Sequence, residues 1–468
     1  MIGSAEGDAK RRLTLGFASN LLTKLSGVLI QLVQVPLFLH FWSVPLFGEW
    51  MIVSSIPTYL SFSNIGFGSV AYNEMTISMA AGDQTQALRV FQSCWWLLIG
   101  LCAAIGCALG LALYFLPVGP LLGLHEIGSL DAKFVLLYLG LSVLLGQFEQ
   151  LLGSAYTCVG RYPYGSFLKN CLTVGAFAAT MIAVSLHHGV RDTAFVAAAA
   201  NLLGTLYLCI AVRRDIPWIS YGRGFARLDE IIRLTPGAIA FMGFPLGNAF
   251  NLQGTVLAVG YALGPQSVVI FGTARTVSRV ALQLIQMVGM TIWPELSSAY
   301  GARNWALVRS LHRSACQIAL LVAIAVVAGM ATLGPWFLNH WTGGHVAPNR
   351  SLLMLLLLVV VLNALWSTSA TLAIAINRHQ RVALYYVLAT GLTLACTYVA
   401  AKYLGLLGAA ASLLIAEVIM NSYVLPNSLR ISHDTYGEFF ASFLRVPAFL
   451  GFAGLKDRLA ALRPLRRR

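Results

Sequence analysis

The amino-acid sequence predicts an all-α polytopic membrane protein, with about twelve transmembrane helices in two six-helix lobes around a central cationic cavity. Three features carry that expectation. The first is bulk composition: the 468 residues are 58% hydrophobic and 10% charged, with mean hydropathy +0.76, which is more apolar material than a soluble fold of this length needs. The second is the recurrence of apolar runs of about 20 residues, each bounded by Gly, Pro or charge. The third is the distribution of Lys and Arg between the two sides those runs define.

The runs fall at roughly 14–40, 46–70, 92–116, 133–155, 166–186, 192–212, 235–262, 267–293, 315–338, 351–376, 382–401 and 404–425. With the N-terminus inside, 24 of the 31 Lys and Arg lie on the cytoplasmic side or at its edge, Arg161 and Lys169 among them. Only Lys133, Arg191, Arg350 and Lys402 lie on the other side, and Lys24, Arg275 and Arg279 fall inside spans. Both termini are therefore expected in the cytoplasm.

The longest charged connection, 213–234, divides the chain into an N-terminal lobe at 1–212, a cytoplasmic linker, a C-terminal lobe at 235–425 and a basic tail at 426–468. "AAGDQTQAL" at 80–88 and "AYGARNWAL" at 299–307 share the pattern A-x-G-x-x-x-x-A-L after spans two and eight, whose inner ends carry Glu74 and Glu295. That match sets an offset of 219 residues between the halves. Six spans followed by six in the same orientation make parallel repeats, with a cavity between them near the midplane. The end of the tail, 441–468, reads as an interfacial helix.

The net charge of +14 is spread over short loops and this tail, so it reads as a topology signal and as contact with anionic membrane lipid, not with nucleic acid. The eight cysteines lack C-x-x-C or metal-ligand spacing, and no metal or cofactor is expected. "KRR" precedes a first apolar run too long for a signal-peptide core, so that run is a retained span.

The polar residues inside the spans are the candidate site. On span one, Asn20, Lys24, Gly27, Gln31 and Gln34 fall in a stripe about 80° wide. On span eight, Arg275, Arg279 and Gln286 fall within about 40°, with Gln283 at the margin. An arginine at the centre of a span costs roughly 2.5–3.5 kcal/mol, and two at i,i+4 repel each other. Glu149 and Glu417 are the acids that could neutralise them, and two acids cannot cancel three cations. The net positive cavity suits a compact multivalent anion, since guanidinium groups pair bidentately with phosphate oxygens. The span-one lysine has a second reading as a snorkelling side chain.

"FGEWMIVSSIPTYLSFSNIGFGSVAYNE" in span two with "AAGD" after it, "GYALGPQSVVIFGTARTVSRV" across spans seven and eight, and "WPELSSAY" ending span eight resemble the multidrug/oligosaccharidyl-lipid/polysaccharide exporter superfamily. The chain is most similar to its oligosaccharide flippases of the Wzx or O-antigen transporter type. The resemblance covers essentially the whole chain. It implies alternating access in a bacterial inner membrane, in which basic residues on helices one and eight hold the pyrophosphate of an undecaprenyl-linked oligosaccharide; here these are Lys24, Arg275 and Arg279. Membrane lipids and the polysaccharide polymerase machinery are the partners of that reading, with a monomer as the working unit. Relatives often carry an acid in span seven, where this sequence reads "NAFNLQGTV" with Asn251, Gln253 and Gly254. Candidates for ion coupling are then Glu417, Glu149 and Asn251.

Two other functions are weighed against a flippase. A multidrug exporter of the same superfamily handles cationic drugs and wants acids. A polysaccharide polymerase or polyprenol-dependent glycosyltransferase wants a large outer loop with clustered polar groups, whereas the longest here is "LPVGPLLGLHEIGSL". No nucleotide-binding loop is present, and the chain is read as a transporter, not an enzyme.

Overall fold

The computed structural model describes residues 2–64, 66–347, 349–376 and 378–444; the side chains of residues 2–18, 20, 62–64, 69, 80, 237, 240, 241, 290, 291, 294 and 298 lie outside the description. Helix accounts for 87% of the described residues, and no strand occurs among them. The chain folds into two compact units, Met1–Val269 with Trp341–His345, and Ile270–His340 with Val346–Arg468.

The first unit opens with α1 (Ile2–Phe41), then α2 (Val44–Ser55), a 3-10 helix at Pro57–Asn64 and α3 (Phe67–Ala80). It continues with α4 (Gln84–Phe115), the short α5 (Val118–Leu122), α6 (Ser129–Cys158), α7 (Tyr162–Ser185) and α8 (Val190–Asp215). A second interrupted stretch follows: α9 (Leu228–Phe241), α10 (Gly243–Ala249), a π-helical turn at Phe250–Gly254 and α11 (Thr255–Leu263). From there α12 (Pro265–Gly301) leads into the second unit, which holds α13 (Trp305–Trp341), α14 (Arg350–Ala375), α15 (Gln380–Ser432) and α16 (Tyr436–Ser442).

Nine helices among the described residues are long and apolar enough to cross a membrane, against the twelve spans expected. Two of the missing three are the interrupted stretches at the positions of spans two and seven. Pro57 has no N–H to continue α2, and Gly66 takes a left-handed φ of 76° before α3. In the other, α9 ends at Phe241, and Pro245, in the first turn of α10, has no N–H to give back across that break. The third is hidden inside α15, whose 53 residues would make a straight rod about 80 Å long, well beyond a hydrocarbon core of about 30 Å. Gly405 departs from helical geometry with φ 62° and ψ −149°, and the Thr397 and Ser412 hydroxyls meet at 2.7 Å across the bend. Spans eleven and twelve are thus the two arms of a hairpin.

The turns after α3 and α12 have one design, in a register that differs from the sequence pattern. Asp83 N–H donates to Ser78 O and caps Gln86 N–H at 2.8 Å; Asn304 N–H donates to Ala299 O and caps Leu307 N–H at 3.1 Å. The left-handed residues before those caps are Gly82 and Arg303, so the equivalence runs at 221 residues and not 219. The shared A-x-G-x-x-x-x-A-L pattern misleads because Arg303 takes the left-handed place without being glycine.

Segment 213–234 packs as part of the first unit. Gln92 Nε2 donates to Ser220 O at 3.0 Å while its Oε1 accepts Phe225 N–H at 2.8 Å, and the Arg223 guanidinium lies 3.8 Å from the Trp96 ring. Arg233 pairs with Glu74 at 2.9 Å and Glu230 at 2.6 Å, tying α9 to α3. At the α4–α6 connection, buried Glu49 of "FGEW" accepts N–H groups from His125, Glu126 and Ile127 at 2.6, 2.9 and 2.7 Å. The same motif's Gly48 has its α-carbon against Pro265, and Gly68 has its own against the Gln150 side chain.

In the second unit, residues 433–444 fold back on α13. Arg313 grips Asp434 with two hydrogen bonds of 2.8 and 2.5 Å, Thr435 caps α16, and Phe439 is buried beside His312 with ring centroids 5.4 Å apart. The proposed interfacial segment at 441–468 lies mostly outside the described residues.

Two outcomes follow from this packing. A Cβ at residue 48 would stand 2.2 Å from the Pro265 carbonyl oxygen, a backbone atom that cannot swing aside, so Gly48→Ala should cost about 1–3 kcal/mol. An unchanged melting temperature of the purified protein would contradict that contact. Burial opposes ionisation of Asp434, but the Arg313 fork outweighs it and holds the carboxyl below its usual range. Its contribution is therefore complete above the unfolded carboxylate pKa of about 4 and is lost as pH falls through the depressed folded value. Limited proteolysis should find 433–444 protected at pH 7 and cut at pH 3, with Arg313→Gln exposing it already at pH 7.

Candidate functional site

Two arginines on α12 and one glutamate on α15 organise the second unit. Asn363 and Trp366, three residues apart on α14, present their N–H groups from one helical face to the Glu417 carboxylate. Asn363 Nδ2 donates at 3.3 and 3.2 Å to the two oxygens, and Trp366 Nε1 donates at 2.5 Å to Oε2. One turn further along, Asn421 Nδ2 donates to Leu362 O at 2.9 Å and to the Glu417 carbonyl at 2.8 Å, locking α14 to the second arm of α15. Glu417 is 3% exposed, so its charge needs those donors.

Arg275 is also buried, at 7% exposure, with its guanidinium carbon 5.6 Å from the Phe271 ring centroid. Its charge is attracted by Glu417 and by the Tyr386 phenol and repelled by Arg279. Tyr386 in turn packs on Trp366, with centroids 5.5 Å apart. The Glu417 carboxylate thus faces Trp366 and Asn363 from α14, Tyr386 from the first arm of α15 and Arg275 from α12.

Arg279 differs from its neighbour one turn back. It is partly exposed, and among the described residues it has no hydrogen-bond or ion-pair partner. With Glu417 ionised, the cluster keeps one net positive charge, which sits at Arg279. Gln283 is partly exposed and Gln286 exposed further along α12.

The predicted residues are divided between the two units. Lys24 lies in the first unit and is exposed on α1, with Gln31 and Gln34 partly exposed beyond it; the Asn20 side chain lies outside the described residues. Glu149 accepts a hydrogen bond from Thr205 at 3.3 Å and lies 3.9 Å from Lys169, so it serves α7 and α8 and not the arginines of α12. Lys169 stands in the third turn of α7. Asn251 sits in the π-helical turn, where its carbonyl accepts the Thr255 hydroxyl at 2.6 Å. Among the described residues no group of three or more His, Cys, Asp or Glu could hold a metal ion.

Asn363, Trp366 and Tyr386 are not picked out by reading the sequence for charge. The available signal was the i,i+3 pairing of two N–H donors in an otherwise aliphatic span.

No protein-family model and no curated protein matches the chain. Solved structures do resemble it. The inward-facing conformation of a multidrug resistance MATE family transporter of the MOP superfamily aligns with TM-score 0.67 at 17% identity, over 90% of this chain and 98% of that one. The outward-facing conformation of a multidrug resistance MATE family transporter of the MOP superfamily aligns with TM-score 0.58 at 17% identity, over 89% and 96%. A Vibrio cholerae MATE transporter in the bent form aligns with TM-score 0.58 at 16% identity, over 92% and 98%. The chain has the MATE fold.

Hydrogen bonds to an ionised partner contribute about 1.5–3 kcal/mol. Trp366→Phe keeps the ring and removes one such bond, so it should lower the melting temperature, as should Glu417→Gln. Both changes delete the same contact, so the double variant should lose less than the two single losses combined. Strict additivity would show that the 2.5 Å bond carries no stability.

Proposed function

We propose that the chain is a flippase that moves a polyprenyl (undecaprenyl) diphosphate-linked oligosaccharide from the cytoplasmic to the outer leaflet of a bacterial inner membrane by alternating access. The observation that carries this reading is Arg279: an intramembrane guanidinium, partly exposed, without a partner among the described residues, on a helix whose other arginine is buried within electrostatic reach of Glu417. A cation left unanswered within its own unit is suited to an anion that arrives from outside it. The planar fork of arginine matches the oxygens of a diphosphate. Arg279 takes the headgroup in this reading, with Arg275 one turn back on the same helix. The glycan brought across would pass to the polysaccharide polymerase machinery.

A multidrug exporter is the second reading, and the MATE fold accommodates it equally. Cationic drugs require a carboxylate available to receive them. Glu417, the acid nearest the α12 arginines in the second unit, is already engaged by Trp366 and Asn363.

Surface glycan in a flippase-deleted strain, with membrane protein level followed alongside, tests the proposal. Arg279→Gln should abolish export at normal protein level, and Arg279→Lys should restore it in part. Arg275→Gln leaves Glu417 buried beside a lost cation, so protein level should fall, and adding Glu417→Gln should recover level without export. Normal glycan from Arg279→Gln, or drug efflux that depends on this chain with unchanged glycan, would overturn the flippase reading.

A further inference from the structure

Besides Lys24 on α1, the first unit carries Lys169 on α7. Three contacts join α1 to α7: Ser19 Oγ donates to Pro163 O at 3.3 Å, the Thr23 and Ser166 hydroxyls meet at 3.3 Å, and Asn170 Nδ2 donates to Ser26 Oγ at 3.0 Å. The residue numbers rise together on both helices, so the two run parallel and in step. Lys24 is therefore level with 167–168, one to two residues from Lys169.

The same contacts fix the directions. At about 100° per residue, Lys24 lies about 130° around α1 from the line of contact, and Lys169 lies about 90° around α7 in the opposite sense. On two parallel helices that face each other, opposite rotations lead to the same side of the pair. Gln31 and Gln34 lie on that side of α1 as well. The positions of Lys24 and Lys169 thus lie at nearly one level on one side of the α1–α7 pair.

Lys169 is held loosely. Its Nζ lies 3.9 Å from Glu149 Oε2, beyond the roughly 2.7–2.9 Å of a charge-assisted hydrogen bond, and its side chain is 44% exposed against 12% for Glu149. Thr205 holds the other oxygen of Glu149 from α8 at 3.3 Å. The carboxylate is fixed by its own helix and by α8, while the lysine is free to move off it.

We infer that Lys24 and Lys169 form a two-lysine anion site on the first unit, with Glu149 as the exchangeable counter-ion that holds Lys169 until a diphosphate headgroup takes its place. The inference rests on the flippase reading and specifies part of its substrate recognition: an anion with more than one charge, met by two flexible ammonium groups on α1 and α7. No covalent step is involved; one ion pair opens and another forms.

Binding of farnesyl diphosphate and of inorganic pyrophosphate to the full-length protein in nanodiscs tests it. Lys169→Gln should weaken farnesyl diphosphate binding about tenfold, Lys169→Arg should stay within about threefold of wild type, and Glu149→Gln should tighten binding several-fold because the competitor is gone. Pyrophosphate should displace the prenylated probe, and this displacement should weaken in Lys169→Gln. A purely structural ion pair predicts instead that Lys169→Gln and Glu149→Gln change affinity in the same direction, and that outcome overturns the inference. So does unchanged binding in Lys169→Gln while Arg279→Gln loses it, a result that leaves the flippase reading standing. Absence of any diphosphate binding by the wild-type protein removes both. If Lys169→Gln does not fold, Glu149→Gln alone decides: without tighter binding, the exchangeable counter-ion is wrong.

Discussion

A charge placed among apolar helices must be answered, by a partner or by whatever enters from outside, because leaving it bare in a low-dielectric interior costs several kcal/mol. Much of this protein's architecture can be traced to how that demand is met in each unit separately. In the first, one acid, Glu149, attends one lysine, Lys169, and leaves Lys24 without a partner among the described residues. In the second, one acid, Glu417, faces one arginine, Arg275, and leaves Arg279 in the same position. Within its apolar spans, each unit thus sets one acid near one cation and leaves one cation without a partner among the described residues.

The two acids are held with different tightness, and the surroundings explain it. Glu417 has an indole N–H at 2.5 Å and a carboxamide spanning both oxygens, so its charge is dispersed before Arg275 contributes. Such a carboxylate belongs to the packing of α14 against α15, and moving it would open that interface. Glu149 has a single hydroxyl at 3.3 Å and a lysine at 3.9 Å, with the lysine side chain 44% exposed. The first arrangement fixes a helix pair, whereas the second can be exchanged.

The sequence made the class of fold legible because hydropathy and the Lys/Arg asymmetry are properties of whole segments, insensitive to local detail. It failed where a single residue changes the backbone. Pro57 and Gly66 turn one expected crossing into three pieces, Gly405 folds 53 residues of nominal helix back on itself, and Arg303 occupies a left-handed position that the repeat pattern assigns to glycine. In the site, formal charge pointed to Lys24, Arg275, Arg279, Glu149 and Glu417. Charge alone could not assign the acids to their cations, since partners 20 to 142 residues apart come together only in the fold. Neutral donors such as Trp366 and Asn363 have no charge to betray them.

The reserve cations, Lys24 and Arg279, bear on the energy source under the proposed function. A coupling acid would have to release its partners in each cycle, and Glu417 would then give up a bond of 2.5 Å that joins two helices. A pyrophosphate of about two charges moving toward the positive side of a 100 mV membrane gains roughly 4–5 kcal/mol if its charge is uncompensated. That gain shrinks as bound cations travel with the anion. A site with many basic residues would hold the headgroup firmly and forfeit the drive. Cations committed to acids within each unit cancel their own contribution and leave the anion's charge to the field, which favours a site built from a few reserve cations over one lined with arginine.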